Sequence, residues 1–407
     1  MKRQLTLLAA AIAVTAAAPA AAVPAAAAAA AAPAGTAAAV RSWSFGQIPA
    51  RFDPSESGLA TIAIGGQPYV FWYENYAAGN EFIGALAYAR YDGTQWRTGL
   101  LDGFGKTDVD DVGSYPVAVE YRGEPHLFYA NNFPAGGLAI RHAWRTGGGW
   151  RFENLPGAGT HFTAAVYRGA VHLWYQGHDA SGFTLRHSWH VGSIWHQETL
   201  DGIGGPNGRI AADVGSYARA VLDLDRPQVY YYDRTNGNLR QAAWNGTRWQ
   251  FLSLDGGGGS NGRLGGDIGG HLSVVEDGGS PHVYYYDATR GNLRQARYDR
   301  SSQPFTWRFV TLDGLPGPSG RLDADLGTFT SAAPGHVYYY DATHGDLRQA
   351  WYETAAAKWR FQTLDGSGGP AGRVSADVGR PTAVAYGGNL VYYRDHSSGS
   401  VRFAWWR

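Results

Sequence analysis

The chain has no cysteine among its 407 residues and a single methionine. Without thiols there is no disulfide, no Cys-built zinc site, no thiolate nucleophile and no lipid-anchored cysteine. Charge of one sign is missing too: 34 Lys+Arg stand against 34 Asp+Glu, a formal net charge of zero. That balance argues against nucleic acid as a partner, because such binders carry a basic face that replaces phosphate counterions. It also offers no basic helix for a membrane surface. Long apolar runs are confined to the start. Lys2 and Arg3 precede an apolar stretch over residues 5–18, followed by Ala-x-Ala steps. This is the pattern of an export signal. The stretch is too short for a membrane span, which takes roughly 20 residues. The expected layout is a signal peptide over 1–32, an Ala/Pro-rich linker over 33–40 and one domain over 41–407, in a secreted, extracellular protein.

What is abundant is Gly (57), Tyr (25) and Trp (15). Many glycines with many aromatics point to short strands and frequent turns, an all-β chain. Self-similarity is the main signal. HVYYYDATRGNLRQARYD (282–299) recurs as HVYYYDATHGDLRQAWYE (336–353) and QVYYYDRTNGNLRQAAWN (228–245). Four looser copies begin near residues 69, 126, 172 and 390. A second element follows each copy but the last: WRTGLL, WRFENL, WHQETL, WQFLSL, WRFVTL and WRFQTL. The missing seventh stands at the other end, as RSWSFGQI (41–48). Each repeat of about 50 residues offers four short strands, the content of one propeller blade. The expected fold is a seven-bladed β-propeller of four-stranded antiparallel blades, with the ring closed by an N-terminal strand. In this alignment Leu101, Leu155, Leu200, Leu254, Leu312 and Leu364 are equivalent core positions.

Catalytic motifs are scarce. There is no HExxH, GxxxxGK[ST] or strand-to-helix GxGxxG. His126, His172, His282 and His336 share one repeat position, which reads as a packing choice rather than a metal site. DVDDVG (108–113) lacks calcium-loop spacing. Acidic and histidine residues that break the repeat are Glu74, Asp108, Asp110, His178, Asp179 and His190, all in blades 1 to 3. No cofactor and no catalytic residue is expected.

Between blades runs a loop, LDGxGGxxGRxxxDVG, seen at 200–215, 254–269, 312–327 and 364–379. Together with the YYYDxxxGNLRQAW hairpin and the W-x-F strand, it resembles the PLL-like seven-bladed lectins of bacteria over residues 41–407. The resemblance implies a glycan ligand, fucose or a related O-methylated sugar. Residue chemistry points the same way. Sugars take an aromatic face under their C–H patch and charged or amide groups on their hydroxyls. The candidate ligand-binding sets are Tyr232, Asp233 and Arg240 with Arg209 and Asp213; Tyr286, Asp287 and Arg294 with Arg263 and Asp267; Tyr340, Asp341 and Arg348 with Arg321 and Asp325; and Tyr393, Asp395 and Arg402 with Arg373 and Asp377. Each set has a structural alternative, since Asp before a turn caps it and Arg–Asp pairs can tie blades together. The expected function is a multivalent lectin that is not an enzyme. A glycan-processing hydrolase or lyase and a protein-binding propeller remain open, because the fold hosts all three. The oligomeric state is not legible.

Overall fold

The computed structural model describes residues 42–48, 53–78, 81–103, 111–132, 138–147, 149–179, 182–192 and 194–407. The expected signal peptide and linker, and Asp108 and Asp110, lie outside the described residues. Within them the chain is all-β: 28 strands form seven four-stranded antiparallel sheets, a seven-bladed β-propeller. Blades 1 to 6 occupy residues 53–103, 112–155, 159–201, 214–255, 268–313 and 326–365. Blade 7 takes Val378–Ala385, Leu390–Asp395 and Ser400–Trp406, and its outermost strand is Trp43–Ile48. The register runs from Trp43 opposite Trp406 to Ile48 opposite Val401. Ring closure by the N-terminal strand is therefore observed. The first strand of each blade touches the first strand of the next, including 53–64 against 378–385, so these strands surround the axis.

The VYYY runs exist because each middle strand is buried on both faces. In blade 4, Val229 and Tyr231 pack toward blade 3 while Tyr230 packs toward blade 5. Seven apolar clusters result, each shared by two consecutive blades. The six equivalent leucines are all buried, and Ile48 fills the place in blade 7. The glycine of the DVG step is demanded by the same contact. Gly269 has φ +124°, and a Cβ there would lie 2.7 Å from the Cα of Leu239 in the preceding blade. Both conformation and space require glycine.

The innermost strands also carry a bulge. Ladder pairing slips around Tyr115, His161, Tyr217, His271 and Phe329. All five sit in the left-handed region, with φ between 50° and 55°.

Because Trp43–Ile48 supplies a whole strand and the buried Ile48, a chain starting at residue 51 should unfold at a much lower temperature than one starting at residue 42. The expected drop in Tm is on the order of 10 °C. Equal melting curves by circular dichroism would mean that the strand does not hold the ring.

Candidate functional site

The sequence-selected arginines turn out to be joints between blades. Asp201, in the LDG step after blade 3, is completely buried. Its Oδ1 accepts the backbone N–H groups of Gly202 and Ile210, which shapes the loop. Its Oδ2 receives the Tyr231 hydroxyl at 2.6 Å and the Arg240 guanidinium at 3.0 Å, both from blade 4. Arg240 also donates to Ser253 Oγ and to the Gly208 carbonyl. The same triad recurs as Asp255–Tyr285–Arg294, Asp313–Tyr339–Arg348 and Asp365–Tyr393–Arg402. Asp102–Tyr129–Arg141 repeats it between blades 1 and 2. Burial and the adjacent carboxylate push the hydroxyls of Tyr231, Tyr285, Tyr339 and Tyr393 far above the usual range, so they stay protonated donors.

This corrects several expected sugar contacts. Arg240, Arg294, Arg348 and Arg402, with Tyr393, are buried inside the ring and held by protein partners. Asp233, Asp287, Asp341 and Asp395 are also buried. Each accepts backbone N–H groups of the turn that follows, as from Asn236 to Asp233 at 3.0 Å. Their carboxylates hold turns, not ligand. Tyr232, Tyr286 and Tyr340 belong to a different column from Tyr393. They donate across the blade boundary to Asp267, Asp325 and Asp377 at 2.5, 2.6 and 2.9 Å. The loop partners do not pair with each other. No ion pair joins Arg209 to Asp213, Arg263 to Asp267, Arg321 to Asp325 or Arg373 to Asp377; Asp213 instead accepts the Phe183 N–H, and Asp377 binds Arg380.

The loop arginines remain available. Arg209, Arg321 and Arg373 lie half-buried over the rings of Phe251, Phe361 and Phe45, the W-x-F phenylalanines of the following blade, at 5.5, 5.6 and 5.3 Å. Arg263 takes the equivalent place between blades 4 and 5. There it lines a groove of about 640 Å³ with Trp307, Tyr298, Phe305, Leu252, Asn261 and Gln241. Its Nη2 donates to the Ser253 carbonyl at 3.2 Å, while its Nε has no hydrogen-bond partner. Leu252 and Phe305 are about half exposed. Trp307 packs on the core and also forms a wall of this groove. A concave strip of aromatic and aliphatic surface beside the Arg263 guanidinium and the amides of Asn261 and Gln241 has the make-up of a site for a small polar ring.

In the grooves between blades 2 and 3 and between blades 3 and 4, sequence reasoning missed a polar ladder. His126 Nδ1 meets His142 Nε2 at 3.0 Å, and His142 Nδ1 meets Glu153 at 2.8 Å. His172, His187 and Glu198 repeat this at 2.9 and 2.9 Å. Trp195 and Trp249 of the next blade donate to the two glutamates. The chain fixes the tautomers: with the glutamate accepting, each inner histidine donates from Nδ1 and accepts at Nε2. The signal was present in the repeat. His142 and His187 stand where blades 4 to 6 carry Gln241, Gln295 and Gln349, and Glu153 and Glu198 where blade 4 carries Leu252. Burial lowers His126 and His172 to about 4.

The residues that broke the repeat do not converge. Glu74 is buried and accepts the Trp72 indole N–H, His178 stacks near Phe183, and His190 lies 5.1 Å from Trp195. None of these three, nor Asp179, lines the axial cavity. Among the described residues no group of three or more His, Asp or Glu is placed to hold a metal ion.

No family model matches the sequence, and no curated protein matches it. The chain has distant similarity to several solved structures. AofleA from Arthrobotrys oligospora is 14% identical, covers 80% of this chain and 90% of its own, and has a TM-score of 0.45. A protein of unknown function from Dyadobacter fermentans is 10% identical over 78% of this chain and 96% of its own, with a TM-score of 0.47. The GH43_1 enzyme from Xanthomonas citri, complexed with xylose, is 15% identical over 65% of this chain and 92% of its own, with a TM-score of 0.39. Likeness at this level does not select a function.

Two measurements test the joints and the ladders. Asp255→Asn leaves Arg294 as an uncompensated buried charge and should cost about 3–5 kcal/mol in denaturant unfolding. Asp267→Asn, at an exposed bond, should cost less than about 1 kcal/mol. For the ladders the sign follows from linkage. The unfolded histidines take a proton near 6.5 and the folded ones only near 4, so acid favours the unfolded chain. Stability should fall as pH drops from about 6.5 to about 4, by at most about 1.4 kcal/mol per unit for each histidine, less with solvent screening. His126→Gln with His172→Gln, the residue that blade 4 carries as Gln228, should flatten that limb in a series of melts against pH.

Proposed function

We propose that the protein is a secreted lectin whose inter-blade grooves each bind a neutral sugar weakly. The observation that carries this reading is the groove at Arg263, where Trp307, Tyr298 and Phe305 present apolar surface beside a guanidinium with an unused Nε–H. The arrangement suits a pyranose: C–H face on the rings, hydroxyls on Arg263 and the amides of Asn261 and Gln241. Repetition supports it. Arg209, Arg321 and Arg373 take the same place over a phenylalanine at three further junctions. The sequence resemblance to PLL-like lectins suggests fucose or an O-methylated relative as the sugar.

The reading is non-catalytic. A glycosidase sets two carboxylic groups across the scissile bond. In this groove the lining acid, Asp223, is held bidentately by Arg300 at 2.7 Å. Repeated sites on a rigid ring instead gain avidity, on the order of 100-fold on a multivalent surface.

A glycan array on the intact protein, followed by calorimetry with the best monosaccharide, tests the proposal. Several equivalent weak sites are expected. Arg263→Ala and Trp307→Ala should each remove one site's worth of binding while the other junctions still titrate. No binding across a broad panel, or release of reducing ends or unsaturated products from polysaccharides, would sink it.

A further inference from the structure

The axis of the ring holds a second kind of site. Residues of all seven innermost strands line a cavity of about 510 Å³ there. Its wall carries Tyr115, His161, Tyr217, His271 and Phe329, one from each of blades 2 to 6. Successive ring centroids are 4.6, 5.0, 4.6 and 4.5 Å apart, so the five rings make a continuous aromatic arc. Each is held at positive φ, which is unfavourable for any residue with a Cβ. Ring closure does not demand this. Blade 7 passes the same point with Pro381, not at positive φ, and blade 1 with Gly58 at φ +120°, outside the left-handed helical region of the other five. At this point of the innermost strands, the five non-glycine residues held at positive φ are the five that make the arc.

Arg219 lines the same cavity. Its equivalents on the other blades are Ala60, Val117, Thr163, Ser273, Ser331 and Ala383, none of them charged. Arg219 donates to the Ala218 carbonyl at 2.8 Å and forms no ion pair among the described residues. The other titratable groups on the cavity wall are Tyr115, His161, Tyr217 and His271. The tyrosines are held protonated by burial, and burial lowers both histidines to about 4, with Arg219 adding to the effect. Burial also lowers Arg219, but only to about 10, so it stays cationic at neutral pH. The cavity thus presents one positive charge and no described carboxylate to balance it.

We propose that this axial cavity binds one carboxylated sugar per molecule, a hexuronate or a glycan end that carries one, with its carboxylate on Arg219 and its apolar ring face against the aromatic arc. A guanidinium matches a carboxylate bidentately, and the arc supplies the stacking surface that an inorganic anion would not use. The site is independent of the inter-blade grooves: it is single where they are repeated, and charged-ligand specific where they take neutral rings.

The test is calorimetric titration of the intact protein with galacturonate and glucuronate, beside galactose, glucose, acetate and sulfate. One site per chain is expected for a uronate, weakened by added salt and by at least about 10-fold in Arg219→Gln. Ligand addition should shift the ring resonances of His161 and His271 in the wild type, a readout that needs no variant. Arg263→Ala and Trp307→Ala should leave this titration unchanged, so loss of groove binding and loss of axial binding are separable. Uronate binding that survives Arg219→Gln would overturn the proposal. So would binding of acetate or sulfate as strong as that of the uronates, more than one uronate per chain, or silent His161 and His271 resonances.

Discussion

Everything in this ring hangs on a carboxylate shared between blades. At five of the seven junctions a buried Asp of one blade accepts a Tyr hydroxyl and an Arg guanidinium from the next. One oxygen of that Asp is spent on the loop, the other on the neighbour. The loop's path and the blade's docking are therefore fixed by a single residue. Apolar contact between blades is broad but carries little register information; a buried, fully satisfied ionic joint accepts one alignment. The two junctions without it are arranged differently. After blade 2 there is Pro156 in place of Asp, Tyr175 turns to Ser188, and Arg186 donates to Thr184 instead. Between blades 7 and 1 the place of the joint tyrosine is taken by Trp72, whose indole N–H donates to Glu74 of its own strand. A ring needs enough joints to fix its pitch, not one at every step.

The joints also explain which parts of the molecule were legible beforehand. Blade number, strand order, N-terminal closure and the leucine positions follow from counting repeats, and all are observed. Function was read from the same repeats, and there the reading went astray in an instructive way. The columns that recur most faithfully, Asp and Arg in YYYDxxxGNLR, are those that the ring itself constrains. Their constancy reports docking and turn geometry. The strand period shows why the tyrosine was misplaced: Tyr231 and Tyr232 point to opposite faces, and only the first reaches the Asp201 joint. Tyr393 aligns with Tyr231, so the blade-7 set mixed two faces.

Ligand chemistry, by contrast, sits in columns that vary. The place held by Leu252 in the blade 4/5 groove is Glu153, Glu198, Val310 and Gln362 elsewhere. In blades 2 and 3 the glutamates meet histidines, which makes those grooves polar and acid-sensitive. In blade 4 the same position is exposed and apolar. A repeat alignment alone does not show that such scattered differences share one wall. That requires the third and fourth strands of one blade to be seen against the outermost strand of the next.

Seven-fold repetition has opposite consequences at the rim and on the axis. At the rim a residue is copied into separate grooves, so similarity between blades multiplies one weak site. On the axis every blade contributes to one space, so similarity makes a uniform lining and any exception stands out. The arc of Tyr115, His161, Tyr217, His271 and Phe329 is the uniform part. Arg219 is the exception, a cation at a position that is apolar or hydroxylated on the other blades. Desolvating that guanidinium without a carboxylate costs free energy, as its lowered pKa reflects. The fold would be easier to stabilise with serine there, as in blades 5 and 6 at Ser273 and Ser331. An uncompensated charge placed where all blades converge is a cost that a bound anion would remove.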